Sequence, residues 1–169
     1  WAGSMAKVIY GKGIARLRKE MESIKNARLE VGFMGDTYSN GGPPVAYIAT
    51  IHEFGYPAGG IPARPFMRPA IADNSETWKR RLAGGFKKVV NGEMSTRVML
   101  DAIGELVTAN IREAIADVTS PPLQQGTIDA RLRGYASKSY AAKANPETIS
   151  KPLVATGYMR DSVKHKVTT

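Results

Sequence analysis

The sequence predicts an α+β protein in which a small antiparallel or mixed sheet is packed by two long helices and several shorter ones, with an extended polar arm. Apolar residues recur every three or four positions over two long central stretches, about 66–90 and 94–117, the period of a helix with one buried face. Short alternating segments near 28–34 and 163–167 carry the period of a strand instead.

Taken in order, Ile14, Leu17, Met21 and Ile24 mark an amphipathic helix over residues 14–25, with Gly11-Lys12-Gly13 as its lead. Leu29, Val31 and Phe33 alternate in a half-buried strand closed by Gly35-Asp36, and 36–44 read as loop by composition. Pro43-Pro44 opens a short helix, because proline is tolerated in a first turn. Val45, Ile48, Ala49 and His52 share one of its faces, beside a partly buried Phe54, and Gly55 caps its C-terminus. A loop from Tyr56 to Pro65 follows, with Gly59-Gly60 inside it.

The first long helix carries Met67, Ile71, Trp78, Leu82, Phe86 and Val89, with Pro69 in its first turn. Gly84-Gly85 is expected to weaken or kink it, at roughly 1 kcal/mol per glycine relative to alanine. Asn91-Gly92 ends it. The second long helix places Leu100, Ile103, Val107, Ile111, Ala114 and Ile115 on one stripe. Residues 119–152 are rich in Ser, Pro, Gly, Gln and Lys and offer only Ile128 and Leu132 at helical spacing, so they read as a flexible loop or arm. Thr156 is expected to cap a short helix through Ser162, and Val163 to Val167 form a closing strand.

The 169 residues suit a single domain over 5–169, large enough to hide about 70% of the unfolded surface. Gly3-Ser4 directly before Met5 reads as a cloning scar, with the native chain expected to start at Met5. The absence of cysteine excludes disulfides, thiolate metal sites and cysteine nucleophiles. No apolar run approaches the roughly 20 residues that span a bilayer, so no membrane partner is expected. The net charge of +9, from 24 Lys and Arg against 15 Asp and Glu, favours contact with nucleic acid, an anionic membrane surface or an acidic protein partner. Its tightest clusters, Lys79-Arg80-Arg81 and Lys87-Lys88, fall on the first long helix.

Several chemistries fail on spacing. His52-Glu53 would need a second histidine four positions after the first to bind zinc as a protease does, and that position is Tyr56; the other histidine is His165. Gly11-Lys12-Gly13 lacks the spacing of a phosphate-cradling loop. Asp73, Glu76 and Lys79 share a helix face, as a solvated charge row does. No catalytic, cofactor-binding or metal residue is therefore assigned, and no cofactor is expected.

Two segments stand out together: Val45 to Gly55, with His52-Glu53-Phe54-Gly55, followed by Arg64-Pro65-Phe66; and Leu153-Val154-Ala155-Thr156-Gly157 before the last helix and strand. Their order and spacing resemble a family of tailed-bacteriophage virion morphogenesis proteins, of the neck, tail-completion or head-tail joining type, over roughly residues 6–168. Pro122-Leu123 and Thr127-Ile128 add a weaker likeness. The resemblance implies a non-enzymatic structural protein that assembles with itself as a ring, a hexamer being compatible. Its other partners would be phage neck, connector or tail proteins, with passive contact with DNA. It would reside in the virion neck or tail, and in the host cytoplasm during assembly. A tail terminator, a minor tail component, or a DNA-binding or DNA-processing protein are the alternatives. The motif residues His52, Glu53, Phe54, Gly55, Arg64, Pro65, Phe66, Leu153, Thr156 and Gly157 fit two roles, holding the fold or touching a neighbouring subunit.

Overall fold

The structure, a computed structural model, describes residues 11–38, 41–136 and 149–169. The expected cloning scar and the middle of the expected arm lie outside the described residues. Among those residues the elements run α1 (Lys12–Asn26), β1 (Arg28–Phe33), α2 (Val45–Phe54), α3 (Met67–Asn91), α4 (Thr96–Asp117), α5 (Gln125–Ala136), α6 (Tyr158–Asp161) and β2 (Val163–Thr168). A 3-10 turn, Pro57–Gly59, joins α2 to α3. The fold is α+β, as the periodicities predict.

The two long helices form an antiparallel hairpin. Gly92 takes the left-handed φ of 83° that ends α3, and its N–H returns to the carbonyls of Lys88 and Val89. Ser95 caps α4, its hydroxyl accepting from the Val98 N–H at 3.3 Å. The Glu20 carboxylate on α1 adds a second cap, accepting from the Thr96 N–H at 2.8 Å and the Thr96 hydroxyl at 2.7 Å. Those hydrogen bonds, backbone first, hold Glu20 below its ordinary pKa.

β1 and β2 pair antiparallel in register from Arg28 opposite Thr168 to Phe33 opposite Val163, and both strands pack on α4. The helix can approach so closely because position 104 is glycine: an added Cβ there would run into the His165 ring and Leu29. The core lies where this layer meets α2 and α6. It contains Val45, Ala49, Phe66, Ala70, Ile111, Ile115, Leu153, Val154, Met159 and Val163. Phe33 meets Phe66 edge to face at 6.2 Å between ring centres, a geometry favoured by the ring quadrupoles.

α3 is continuous through Gly84-Gly85, and an added Cβ on Gly85 would sit 2.7 Å from Met99 Cγ. Three expectations need correction. Residues 125–136 of the expected arm form α5. The cap of α6 is Gly157, at φ 74°, one residue later than expected; Thr156 Oγ1 accepts from the Tyr158 N–H at 3.3 Å. Phe54 is 63% exposed rather than partly buried, with the Arg68 guanidinium 4.9 Å above its ring.

Candidate functional site

The motif residues converge on the corner where α2 turns into α3. Gly55, at φ 78°, ends α2 with its N–H on the Ile51 carbonyl at 2.7 Å. A Cβ at this position would lie 2.8 Å from the backbone nitrogen of Ala63, so glycine alone lets the returning loop press against the end of the helix. That contact brings the Arg64 N–H within 2.7 Å of the His52 carbonyl and delivers the chain to the start of α3.

Glu53 then closes the corner. Its Oε2 accepts from the N–H groups of Phe66 and Met67 at 2.8 and 2.9 Å, and its Oε1 from the N–H of Arg68 at 3.2 Å. These are the N–H groups that the first turn of a helix leaves without an internal partner, and a carboxylate there also meets the positive end of the helix dipole. Pro65, just before them, has no N–H to satisfy. The Arg68 Nε donates to Oε1 at 2.8 Å, and its Nη2 reaches the Glu53 carbonyl at 3.0 Å. Burial pushes the Glu53 pKa up, but the Arg68 side chain and the three N–H donors outweigh it and hold the carboxyl below its ordinary value. With four donors on its two oxygens, the carboxylate has little capacity left for a substrate.

Arg64 is equally committed. Its side chain is buried, and Nε and Nη2 donate to the carbonyls of Pro121 and Pro122 at 2.7 and 2.9 Å. The arginine therefore fastens the segment after α4 to the loop before α3. Phe66 inserts into the core beside it, only 2% exposed.

The second motif reaches the same region from the other end of the chain. Leu153 is in the core, and Gly157 turns the backbone so that the Tyr158 hydroxyl donates to the Thr37 carbonyl at 2.8 Å. His52 and Thr156, 104 positions apart in the sequence, line one small cavity of about 150 Å³ together with Tyr38, Arg131, Leu153 and Tyr158. His52 Nδ1 is buried there without a hydrogen-bond partner among the described residues. Burial, then the charges of Arg64 and Arg131, push the His52 pKa below its ordinary value, so the ring is neutral at pH 7.

Arg131 is a residue that sequence reasoning missed. Its Nη1 donates to the carbonyls of Ile149 and Lys151 at 2.9 and 2.7 Å, and its Nη2 to that of Pro152 at 3.0 Å. It thus delivers the second motif to the first. Among the described residues no group of three or more His, Asp and Glu side chains is placed to hold a metal ion, and no helix is long and apolar enough to cross a membrane. His165 lies elsewhere, its Nε2 3.7 Å from Asp101. The Asp73, Glu76 and Lys79 row is exposed, with Lys79 paired to Glu76 at 2.7 Å.

The arrangement is therefore a staple: carboxylate, guanidinium and backbone groups satisfy one another around a folded corner. Comparison with protein-family models, curated proteins and solved structures finds no match to the chain.

Proposed function

We propose that this chain is a non-catalytic structural protein of a tailed-bacteriophage particle, completing the tail or joining it to the head by assembling with its own copies as a ring. The observation that carries this reading is a division of labour. Of the residues behind the resemblance, Glu53 and Arg64 engage their charged groups internally, while large apolar side chains, Phe54 among them, stand open to water. Leu82, Phe86 and Val90 form a row along α3, each about 40% exposed, and Ile14 and Met21 of α1 are exposed as well. Tyr47 and Phe54 on α2, and Tyr56 just after it, are exposed too. Exposed apolar surface of this extent suits a protein that is covered by neighbours in use.

A second reading, DNA binding, draws on the cationic half of α3, where Arg80, Arg81, Lys87 and Lys88 lie within three turns. Light scattering on a size-exclusion column, with and without a DNA fragment at moderate salt, separates the two. The structural reading expects a ring-sized assembly of protein alone, indifferent to DNA. A DNA complex that dissolves steeply as salt rises, with no protein assembly, would replace it by the DNA-binding reading.

A further inference from the structure

Two clefts on the α3–α4 hairpin follow one helical repeat, as the ends of a single groove, and their rims carry opposite charge. On α3 the lining residues recur at Ala70, Asn74, Arg81, Gly84 and Lys88, and on α4 at Met99, Ile103, Leu106, Asn110 and Asp117, each series following the helical repeat. Near the hairpin turn the groove opens into a cleft of about 540 Å³ with an apolar floor of Met99, Ala102, Ile103 and Leu106, rimmed by Arg80, Arg81 and Lys88. At the far end it holds about 320 Å³ over Pro69, Ala70, Ala114 and Val118, rimmed by Asp73, Glu113 and Asp117. Between the two, Trp78 Nε1 donates to Asn110 Oδ1 at 2.9 Å and ties the helices together.

The rim charges are uncommitted. Among the described residues the side chains of Arg81 and Lys88 at one end, and of Asp73, Glu113 and Asp117 at the other, enter no hydrogen bond or ion pair; the Arg80 side chain donates to the Thr77 hydroxyl, at 3.3 Å. The ends are also spaced apart: from Asp73 the helix rises about 10 Å to Arg80 and about 22 Å to Lys88, against a screening length of roughly 8 Å at physiological salt. An apolar floor between unpaired cations suits a protein surface better than a phosphate backbone.

We propose that this groove is the contact between copies of the chain, the basic end of one copy lying against the acidic end of the next. A copy of the same chain carries both complements, so each end of the groove is covered by a different neighbour. Repeated in one direction, the contact is head to tail and closes into a ring where the rotation allows. This rests on the self-assembly reading above and identifies its surface.

Charge reversal tests it. R80E/R81E/K88E gives a chain acidic at both ends, and D73K/E113K/D117K one basic at both. All six positions are on the hairpin surface, and thermal melting by circular dichroism verifies that each variant folds; R81E/K88E and E113K/D117K serve if a triple variant does not. Sedimentation velocity is then run on the unaltered chain, on each variant and on an equimolar mixture at low salt. The expected result is that each variant alone associates at least about tenfold more weakly than the unaltered chain. The mixture should form complexes containing both, which dissociate as salt is raised. A mixture that stays monomeric overturns the proposal. If the unaltered chain still forms rings in that case, the self-assembly reading stands on another surface; if no chain associates, that reading loses its support too. A DNA fragment bound by the unaltered chain and lost with R80E/R81E/K88E, beside a monomeric mixture, would assign the basic end to nucleic acid and likewise overturn the proposal.

Discussion

Around Glu53 and Arg64, charged groups are buried and each meets its partners; along the second half of α3, apolar groups stand in water, and Arg81 and Lys88 enter no ion pair among the described residues. The two regions share α3, yet they follow opposite rules. The corner has charged groups where a core would be dry, and it tolerates Glu53 and Arg64 because each is met by hydrogen-bond partners. The hairpin leaves its apolar row and its rim charges unsatisfied, a poor arrangement for an isolated molecule and a good one for a surface awaiting a neighbour. The contrast teaches that sequence motifs and working surfaces need not coincide. Glu53, Arg64 and Phe66, among the most recognisable residues of this chain, build the frame, and less distinctive ones stand open to water.

The largest effect should come from breaking the corner. Glu53→Ala strands three N–H groups at the start of α3 and leaves Arg68 without its ion pair, an expected loss of about 3 kcal/mol in urea unfolding. A loss no larger than that of an exposed carboxylate would dissolve the contrast between the regions. Arg64→Ala should cost about 2 kcal/mol, and Arg64→Lys should recover only part of it, since an ammonium cannot reproduce the fork that reaches both proline carbonyls.

The pH dependence sharpens the same point. The folded-state pKa of His52 is lowered below 6.5, so in the window just below that value the unfolded chain binds more protons than the folded one. Stability contributed by the neutral ring is present above pH 6.5 and is lost as pH falls through the folded value, with a slope of at most about 1.4 kcal/mol per pH unit. His52→Asn should flatten that slope in unfolding titrations. Glu20 and Glu53, also lowered, add a further loss at pH below their ordinary 4.5.

The smallest effects distinguish two helical glycines. Gly84 has nothing within 4 Å of an added Cβ, so Gly84→Ala should raise stability by up to about 1 kcal/mol. Gly104→Ala should lower it despite the same gain in propensity, because the new methyl pushes the sheet off α4. Thermal melts of the pair decide whether open surface or close packing governs each half of the hairpin.

What the sequence makes legible is local. The long helices follow from their apolar repeat, and Gly55 and Gly92 mark helix ends because a left-handed turn suits glycine. Glu53 and Arg64 are visible as residues of note, but their role as staples is not, since the groups they bind lie 13 and 57 positions away. The Glu20 cap on Thr96 spans 76 positions and has no local signal at all. α5 escapes notice because Ile128 and Leu132 are a weak stripe, and Leu132 is half exposed even when folded. Its tie to the body comes from Arg131 hydrogen bonds to a segment 18 to 21 residues on, which periodicity does not register.

The pairing of Arg28 with Thr168 has a consequence for synthesis. A ribosome releases β1 long before its partner strand exists, so Leu29, Val31 and Phe33 must wait through the making of the whole helical hairpin for their pairing strand. Helices can form as they emerge, but the sheet is a late, long-range event. A chain broken off before Val163 would carry every residue of both hairpin helices and still lack the strand that closes the fold. Completion of the sheet is thus the step that separates a finished fold from a partial one.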